Sequence, residues 1–290
     1  CVLRILDAQS APKKIEEVFF DEAGCAALRR SFTKPTGLIL MTGPTGCGKS
    51  TTLYSVLGEL NTPEKKVITL EDPVERRVLG VNQTQIIAPN TFAKSLRVAL
   101  RADPDVILVG EIRDEETAEL SIKASQTGHL VFSTLHANSA IATITRLNDL
   151  GIKFADIAAS LLAVTAQCLL RKLCLSCRTR AKISALELEK FQSRKINSPL
   201  LDDGFIYRHM GCPYCFGSGY KGRAAVMELL EVDEALKNIV AHRDGFSPGA
   251  LRNAAVERGF TNLYTNGVLA VSRGITDLCE VRIDLTDIFY

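Results

Sequence analysis

The sequence predicts an α/β fold: a twisted, mostly parallel sheet with helices on both faces, carrying a cysteine-bearing insert and a helical C-terminal region. Three observations carry that expectation. Short runs that are apolar throughout alternate with helix-patterned stretches across the first half of the chain, as strands buried on both faces require. A glycine-rich stretch, Gly43-Pro44-Thr45-Gly46-Cys47-Gly48-Lys49-Ser50, separates one such run from the helix pattern that follows. Two Cys-x-x-Cys pairs, Cys174/Cys177 and Cys212/Cys215, mark a region where the alternation has stopped.

In chain order, strands are expected at 37–41, 66–70, 105–109 and 130–134. Helices lie between them. The first covers 50–60 and closes at Asn61-Thr62-Pro63; the second covers about 92–101 and stops before Pro104. A third opens with Asp114, Glu115 and Glu116, acids that favour the positive first turn of a helix, and ends at Gly128. The most apolar stretch, 155–166, contains Asp156, Ser160 and Thr165 and reads as a buried helix. Beyond residue 150, two long helical segments are expected to flank a polar insert at 174–215. A strand-like run at 222–230 leads into C-terminal helices; one, at 263–273, ends in a Gly274 cap, and Thr276 is placed to cap the next. The expected division is a remnant of a preceding domain at 1–10, a core at 11–173, the insert at 174–215, and a C-terminal strand with helices at 216–290.

The 290 residues hold 35 Lys and Arg against 33 Asp and Glu, a formal net charge of +2, with 46% hydrophobic and 23% charged residues. That is ordinary for a core-forming chain of one large or two medium domains. The near-neutral balance argues against a sequence-independent nucleic-acid binder, which needs a basic face to displace counterions. Twelve Phe and six Tyr supply a core and exclude disorder. No run reaches the roughly 18 apolar residues of a membrane span. The opening Cys1-Val2-Leu3-Arg4-Ile5-Leu6 has neither Met nor a charged leader and reads as the middle of a strand, so a fragment of a longer chain is expected. Nine cysteines, an odd number, suit a reducing cytosol better than a secreted disulfide framework.

Residues 43–50 fit G-x-x-x-x-G-K-[ST] at every fixed position, after a strand and before a helix, which is the context that motif needs. The glycines let the backbone curl so that successive N–H groups face phosphates, and the helix N-terminus adds its dipole. Lys49 neutralises the outer phosphates and the Ser50 hydroxyl reaches Mg²⁺. The expected nucleotide-binding set is Gly43, Pro44, Thr45, Gly46, Cys47, Gly48, Lys49, Ser50 and Thr51, with ATP and Mg²⁺ as ligands.

Hydrolysis needs carboxylates at the same sheet edge. Two strands end in acids: 67–70 runs into Glu71, and 106–109 runs into Gly110-Glu111. Many P-loop enzymes carry a Mg²⁺-holding Asp where this chain has Gly110, so metal support is expected from Ser50, Glu111 and water, with Glu71 a further candidate. His129 and His136 bracket the strand at 130–134; each is either a satisfied structural residue or a sensor of the γ-phosphate. Arg97, Arg101 and Arg113 are either charge stabilisers for the transferring phosphoryl or partners of nearby acids.

With these segments in order, the chain resembles the ATPases of type II secretion and type IV pilus assembly (GspE/PilB-like). The four boxes are residues 43–50, 68–75, 103–114 and 127–136, and the resemblance runs from about residue 36 to the C-terminus. It implies a RecA-like core, with Glu71 as the water-activating acid and Glu111 as an atypical Walker B acid. His129 and His136 match the histidine box. It further implies an ATP-hydrolysing cytoplasmic motor, homohexameric and peripheral to the inner membrane. Such a motor docks on a platform protein there and drives pilin or pseudopilin assembly, without nucleic acid. A conjugation-type translocase and a non-hydrolysing adaptor are the alternatives.

Two departures stand out. Proteins of that family usually carry Gln-Arg in the helix expected before the cysteines, whereas this chain has Gln167-Cys168. The serine common at position 47 is Cys47, whose thiol at a helix N-terminus is expected to have a depressed pKa and to react with alkylating agents unless ATP protects it. Residues 1–10 are expected to be the remnant of the amino-terminal domain that relatives carry, with Arg4 the candidate arginine from it.

The two cysteine pairs, with 34 residues between them, predict a tetrahedral Zn²⁺ site formed by Cys174, Cys177, Cys212 and Cys215. Four thiolates leave no open position, so the metal is structural; a disulfide or a metal-free cluster is the alternative. The intervening segment is long enough for a short helix at 186–191. Within the resembled family, such an insert marks the assembly and secretion branch.

Overall fold

A computed structural model of the chain describes residues 14–185, 187, 189, 204–242 and 245–285. The remnant expected at 1–10 and most of the helix expected at 186–191 lie outside the described residues.

Two helices, α1 (Ile15–Val18) and α2 (Glu22–Phe32), precede the first strand, β1 (Gly37–Thr42). The core follows as α3 (Lys49–Leu60), β2 (Val67–Glu71), β3 (Asn82–Gln85), α4 (Phe92–Leu100), β4 (Val106–Val109), α5 (Glu115–Gln126) and β5 (Leu130–Leu135). Then come α6 (Ala140–Asp149), α7 (Phe154–Ser160), β6 (Leu161–Leu173), β7 (Thr179–Lys182), β8 (Phe205–Arg208) and β9 (Tyr220–Glu231). Four helices close the described chain: α8 (Glu234–Val240), α9 (Pro248–Glu257), α10 (Leu263–Ser272) and α11 (Leu278–Leu285).

Seven strands form one sheet in the order β3-β2-β4-β5-β1-β6-β9. Every neighbouring pair is parallel except β6 with β9. The four strands read from the sequence are buried along their whole length. Their alternation feeds two cores: Leu38, Leu40, Ile107, Val109 and Val131 on one face, and Ile39, Met41, Leu108 and Phe132 on the other. β3 was invisible in the sequence because Asn-Gln-Thr-Gln is polar, as suits a mostly exposed edge strand.

The stretch expected as one helix at 155–166 is instead the end of α7 and the start of β6. A strand buried on both faces is as apolar as a buried helix, so composition does not separate them. β6 lies between β1 and β9, pairing with β9 from Ala163↔Glu231 to Leu173↔Tyr220. The insert is therefore flanked by two antiparallel strands rather than by helices, and the strand at 220–231 belongs to the core sheet. Within the insert, β7 pairs with β8 as a separate ribbon.

The C-terminal cap also differs from expectation. Asp277, not Thr276, caps α11: its Oδ1 accepts the N–H groups of Cys279 (3.0 Å) and Glu280 (3.3 Å). The Thr276 hydroxyl donates to the Arg171 carbonyl at 2.9 Å, fastening this end of the chain to β6. Among the described residues, no helix is long and apolar enough to cross a membrane.

Candidate active site

The loop between β1 and α3 curls through three left-handed glycines, Gly43 (φ 135°), Gly46 (φ 80°) and Gly48 (φ 92°). A Cβ on Gly43 would lie 2.4 Å from the Gln167 carbonyl oxygen, so glycine is required there by space as well as by conformation. Pro44, Thr45 and Gly46 form an exposed crest. Lys49 Nζ donates to the carbonyls of Gly43 (2.7 Å) and Pro44 (3.1 Å), which places the ammonium inside the curl of the loop. Ser50 and Thr51 lie in the first turn of α3, whose N-terminal end opens onto the loop. These features make an anion cradle.

Cys47 does not have the character expected of it. The residue is 3% exposed, and burial pushes its thiol pKa up despite the neighbouring Lys49 charge. The helix N-terminus favours the thiolate, but the side chain faces protein rather than the ligand side.

Glu71 ends β2 and is 7% exposed. Its Oε1 accepts the hydroxyl of Thr69 (2.5 Å) and the Gln83 amide (3.1 Å), while Oε2 accepts the hydroxyl of Tyr54. Glu111 follows β4, with its side chain 14% exposed. Arg113 forms an ion pair with one Glu111 oxygen, and His136 Nε2 lies 3.8 Å from the other. The glycine between β4 and Glu111 is explained by crowding: a Cβ on Gly110 would lie 3.0 Å from the Leu70 carbonyl and 3.2 Å from the Phe92 ring.

The sheet thus brings the cradle, Glu71, Glu111, Arg113 and His136 to one edge, where parallel strands end. It does not bring His129 there. His129 precedes β5, its carbonyl accepts the Gly37 N–H at the start of β1, and its Nδ1 lies 3.0 Å from the Ala124 carbonyl. The length of β5, roughly 20 Å at about 3.3 Å per residue, separates it from His136. Of the two histidines expected as candidate catalytic residues, only His136 lies at the cradle's edge, and His129 is held in the structural role that was its alternative. Arg97 is paired with Glu116 (2.6 Å), and Arg101 caps the far end of α4, near where β4 begins. Sequence reading missed Tyr54 and Gln83, which reach Glu71 from 17 and 12 residues away and belong to no motif.

The four insert cysteines converge. Sγ–Sγ distances are 3.9 Å for Cys174–Cys212, 3.8 Å for Cys177–Cys215 and 3.7 Å for Cys212–Cys215. A tetrahedron with metal–sulfur bonds of about 2.3 Å has edges of about 3.8 Å, so the cluster fits Zn²⁺, whereas a disulfide needs about 2.05 Å. Backbone N–H groups of Gly211, Cys212 and Gly219 donate to these sulfurs at 3.4, 3.2 and 3.2 Å, which favours thiolates.

Fold and cradle together define a P-loop nucleotide-binding protein whose insert carries a four-cysteine cluster able to hold a metal ion. A family model described as Type II/IV secretion system protein matches residues 1–283, and the chain belongs to that family. It is 42% identical over 286 residues to the type II secretion system ATPase E of Vibrio cholerae, covering 97% of this chain and 54% of that protein. It is 40% identical over 282 residues to the type IV pilus assembly ATPase PilB of Thermus thermophilus, covering 97% and 31% respectively. A crystal structure of the pilus retraction motor PilT with bound ADP superposes with a TM-score of 0.71 at 27% identity, over 97% of this chain and 69% of that one. The chain spans about half the length, or less, of these two curated relatives.

Proposed function

We propose that this chain is the ATP-hydrolysing motor module of a type II secretion or type IV pilus assembly machine. The observation that carries the reading is the convergence of the residue 43–50 cradle with Glu71, Glu111 and His136 at one sheet edge. Lys49 would leave the loop carbonyls for the outer phosphates, whose charge gives its ammonium a stronger partner. Ser50 and Glu111 are the residues suited to hold Mg²⁺, which when bound supplies charge neutralisation at the phosphate oxygens. Glu71 orients and deprotonates the attacking water. His136 and Arg113 lie beside Glu111, placed to register the γ-phosphate and to stabilise its charge. The nucleoside end fits the cavity of about 290 Å³ beside Gly48 and Thr51, which Leu169 and Arg223 also line.

The tetracysteine cluster holds structural Zn²⁺ in this reading. The working assembly is a homohexamer on the cytoplasmic face of the inner membrane, bound to a platform protein. Its test is phosphate release from ATP measured over a range of protein concentrations. Turnover per chain that rises with concentration supports a motor whose sites are completed by assembly. ATP bound but not hydrolysed at any concentration would favour a nucleotide-bound adaptor.

A further inference from the structure

We propose that Gln167, on β6, is the residue that holds the phosphate cradle in its binding conformation. This rests on the reading of residues 43–50 as a nucleotide site. β6 pairs with β1 only as far as Thr42↔Ala166 and then runs on to Leu173, so Gln167 is the first residue of an overhang that passes alongside the loop. Its side chain is fully buried. The amide Nε2 donates to the Cys47 carbonyl at 2.8 Å, and Oε1 accepts the Thr52 hydroxyl at 3.0 Å. The backbone carbonyl of Gln167 also packs against Gly43, as its 2.4 Å clearance to a Cβ there shows. One residue therefore touches the entry of the loop, its exit and the first turn of α3.

The consequence follows from peptide geometry. In a trans peptide the C=O and the next N–H point in opposite directions. Drawing the Cys47 carbonyl toward β6 turns the Gly48 N–H away from β6, toward the ligand side of the loop. Gly48 sits at φ 92°, where the peptide has no side chain to hold it. The Cys47 carbonyl, which can only accept, fixes which end of the amide faces the loop, and the Thr52 hydroxyl then turns its proton to the remaining oxygen. Strand alternation sends Cys168 to the other face, into a cluster with Leu170, Val226 and Val268. The departure at position 168 therefore does not touch the cradle, and the preceding glutamine does.

The test is Mg²⁺-ATP and ADP affinity, read with fluorescent analogues, for wild type, Gln167→Leu and Gln167→Met. Both substitutions roughly keep volume, but neither the thioether nor the isobutyl group can donate to the Cys47 carbonyl. We expect each to weaken ATP and ADP binding by about tenfold or more, the scale of one buried hydrogen bond, with the thermal midpoint little changed. Cys168→Ala should leave affinity unchanged. Lys49→Ala reports on the cradle reading itself: if it binds ATP like wild type, that reading fails. If Lys49→Ala loses binding while both folded Gln167 variants bind like wild type, the role of Gln167 is overturned. Loss of folding in both would also overturn it, showing the residue to be structural.

Discussion

The Tyr54 hydroxyl, on the helix that begins at the phosphate cradle, donates to the Glu71 carboxylate at the end of β2. With Thr69 and Gln83 on the other oxygen, three donors hold the group proposed to activate water. Burial and the Glu71 charge push the Tyr54 pKa up, so its proton stays on the phenol. Donors on both Glu71 oxygens occupy lone pairs that an attacking water would need, and Tyr54 stands one helical turn beyond Ser50, where a nucleotide would act on α3. Tyr54→Phe is expected to raise kcat several-fold, up to about tenfold, for loss of one charge-assisted hydrogen bond, with ATP affinity unchanged. A fall of similar size would show that the phenol positions the carboxylate rather than restraining it.

Alkylation should bypass Cys47. The buried, neutral thiol reacts slowly, whereas Cys279 is exposed. Peptide mapping after brief iodoacetamide treatment is expected to find Cys279 modified well before Cys47, with little change when ATP is added. Cys47 labelled first would contradict the orientation described for it.

Glu228 gives a stability signature in pH. Its Oε1 accepts the Ala140 N–H (2.6 Å) and its Oε2 the Leu263 N–H (2.9 Å), so one buried carboxyl joins the starts of α6 and α10. Burial outweighs these donors and the Arg252 charge, pushing its pKa up from 4.5 to about 7. The folded state therefore favours the protonated form. That contribution is fully present below about pH 4.5 and is lost as pH rises through about 7. Relative to Glu228→Gln, wild type should lose roughly 3 kcal/mol of unfolding free energy between pH 4.5 and 8. Parallel pH profiles in urea unfolding would contradict the assignment.

Metal content is equally direct. Elemental analysis should find about one zinc per chain, the stoichiometry of one closed four-thiolate site, and Cys212→Ser should lower it. Chelation should unfold the β7–β8 ribbon before the core sheet, since the ribbon leaves and rejoins the sheet at the cysteines. A metal-free protein with the ribbon intact would leave the cysteines a packing role only.

The central strands and the cradle were legible because both are local signals: apolar runs for β1, β2, β4 and β5, and fixed spacing for residues 43–50. β6 was not, since Leu161 to Leu170 is buried on both faces and its strand character comes from β1 and β9. His129 and His136 are equivalent as neighbours of one strand in sequence, yet only the direction of β5 decides which reaches the site. Tyr54, Gln83 and Gln167 escaped for a related reason. Gln167 meets Cys47 across 120 residues, through a register that no local pattern encodes.

The central claim, that the acids converging on the cradle make it hydrolytic, is tested most directly at Glu111. ATP affinity and phosphate release should be measured side by side for wild type and Glu111→Gln, which keeps shape and removes charge. The expected result is unchanged or modestly altered ATP binding with turnover abolished. Undiminished turnover in Glu111→Gln would remove Glu111 from the mechanism, and with it the active site as described.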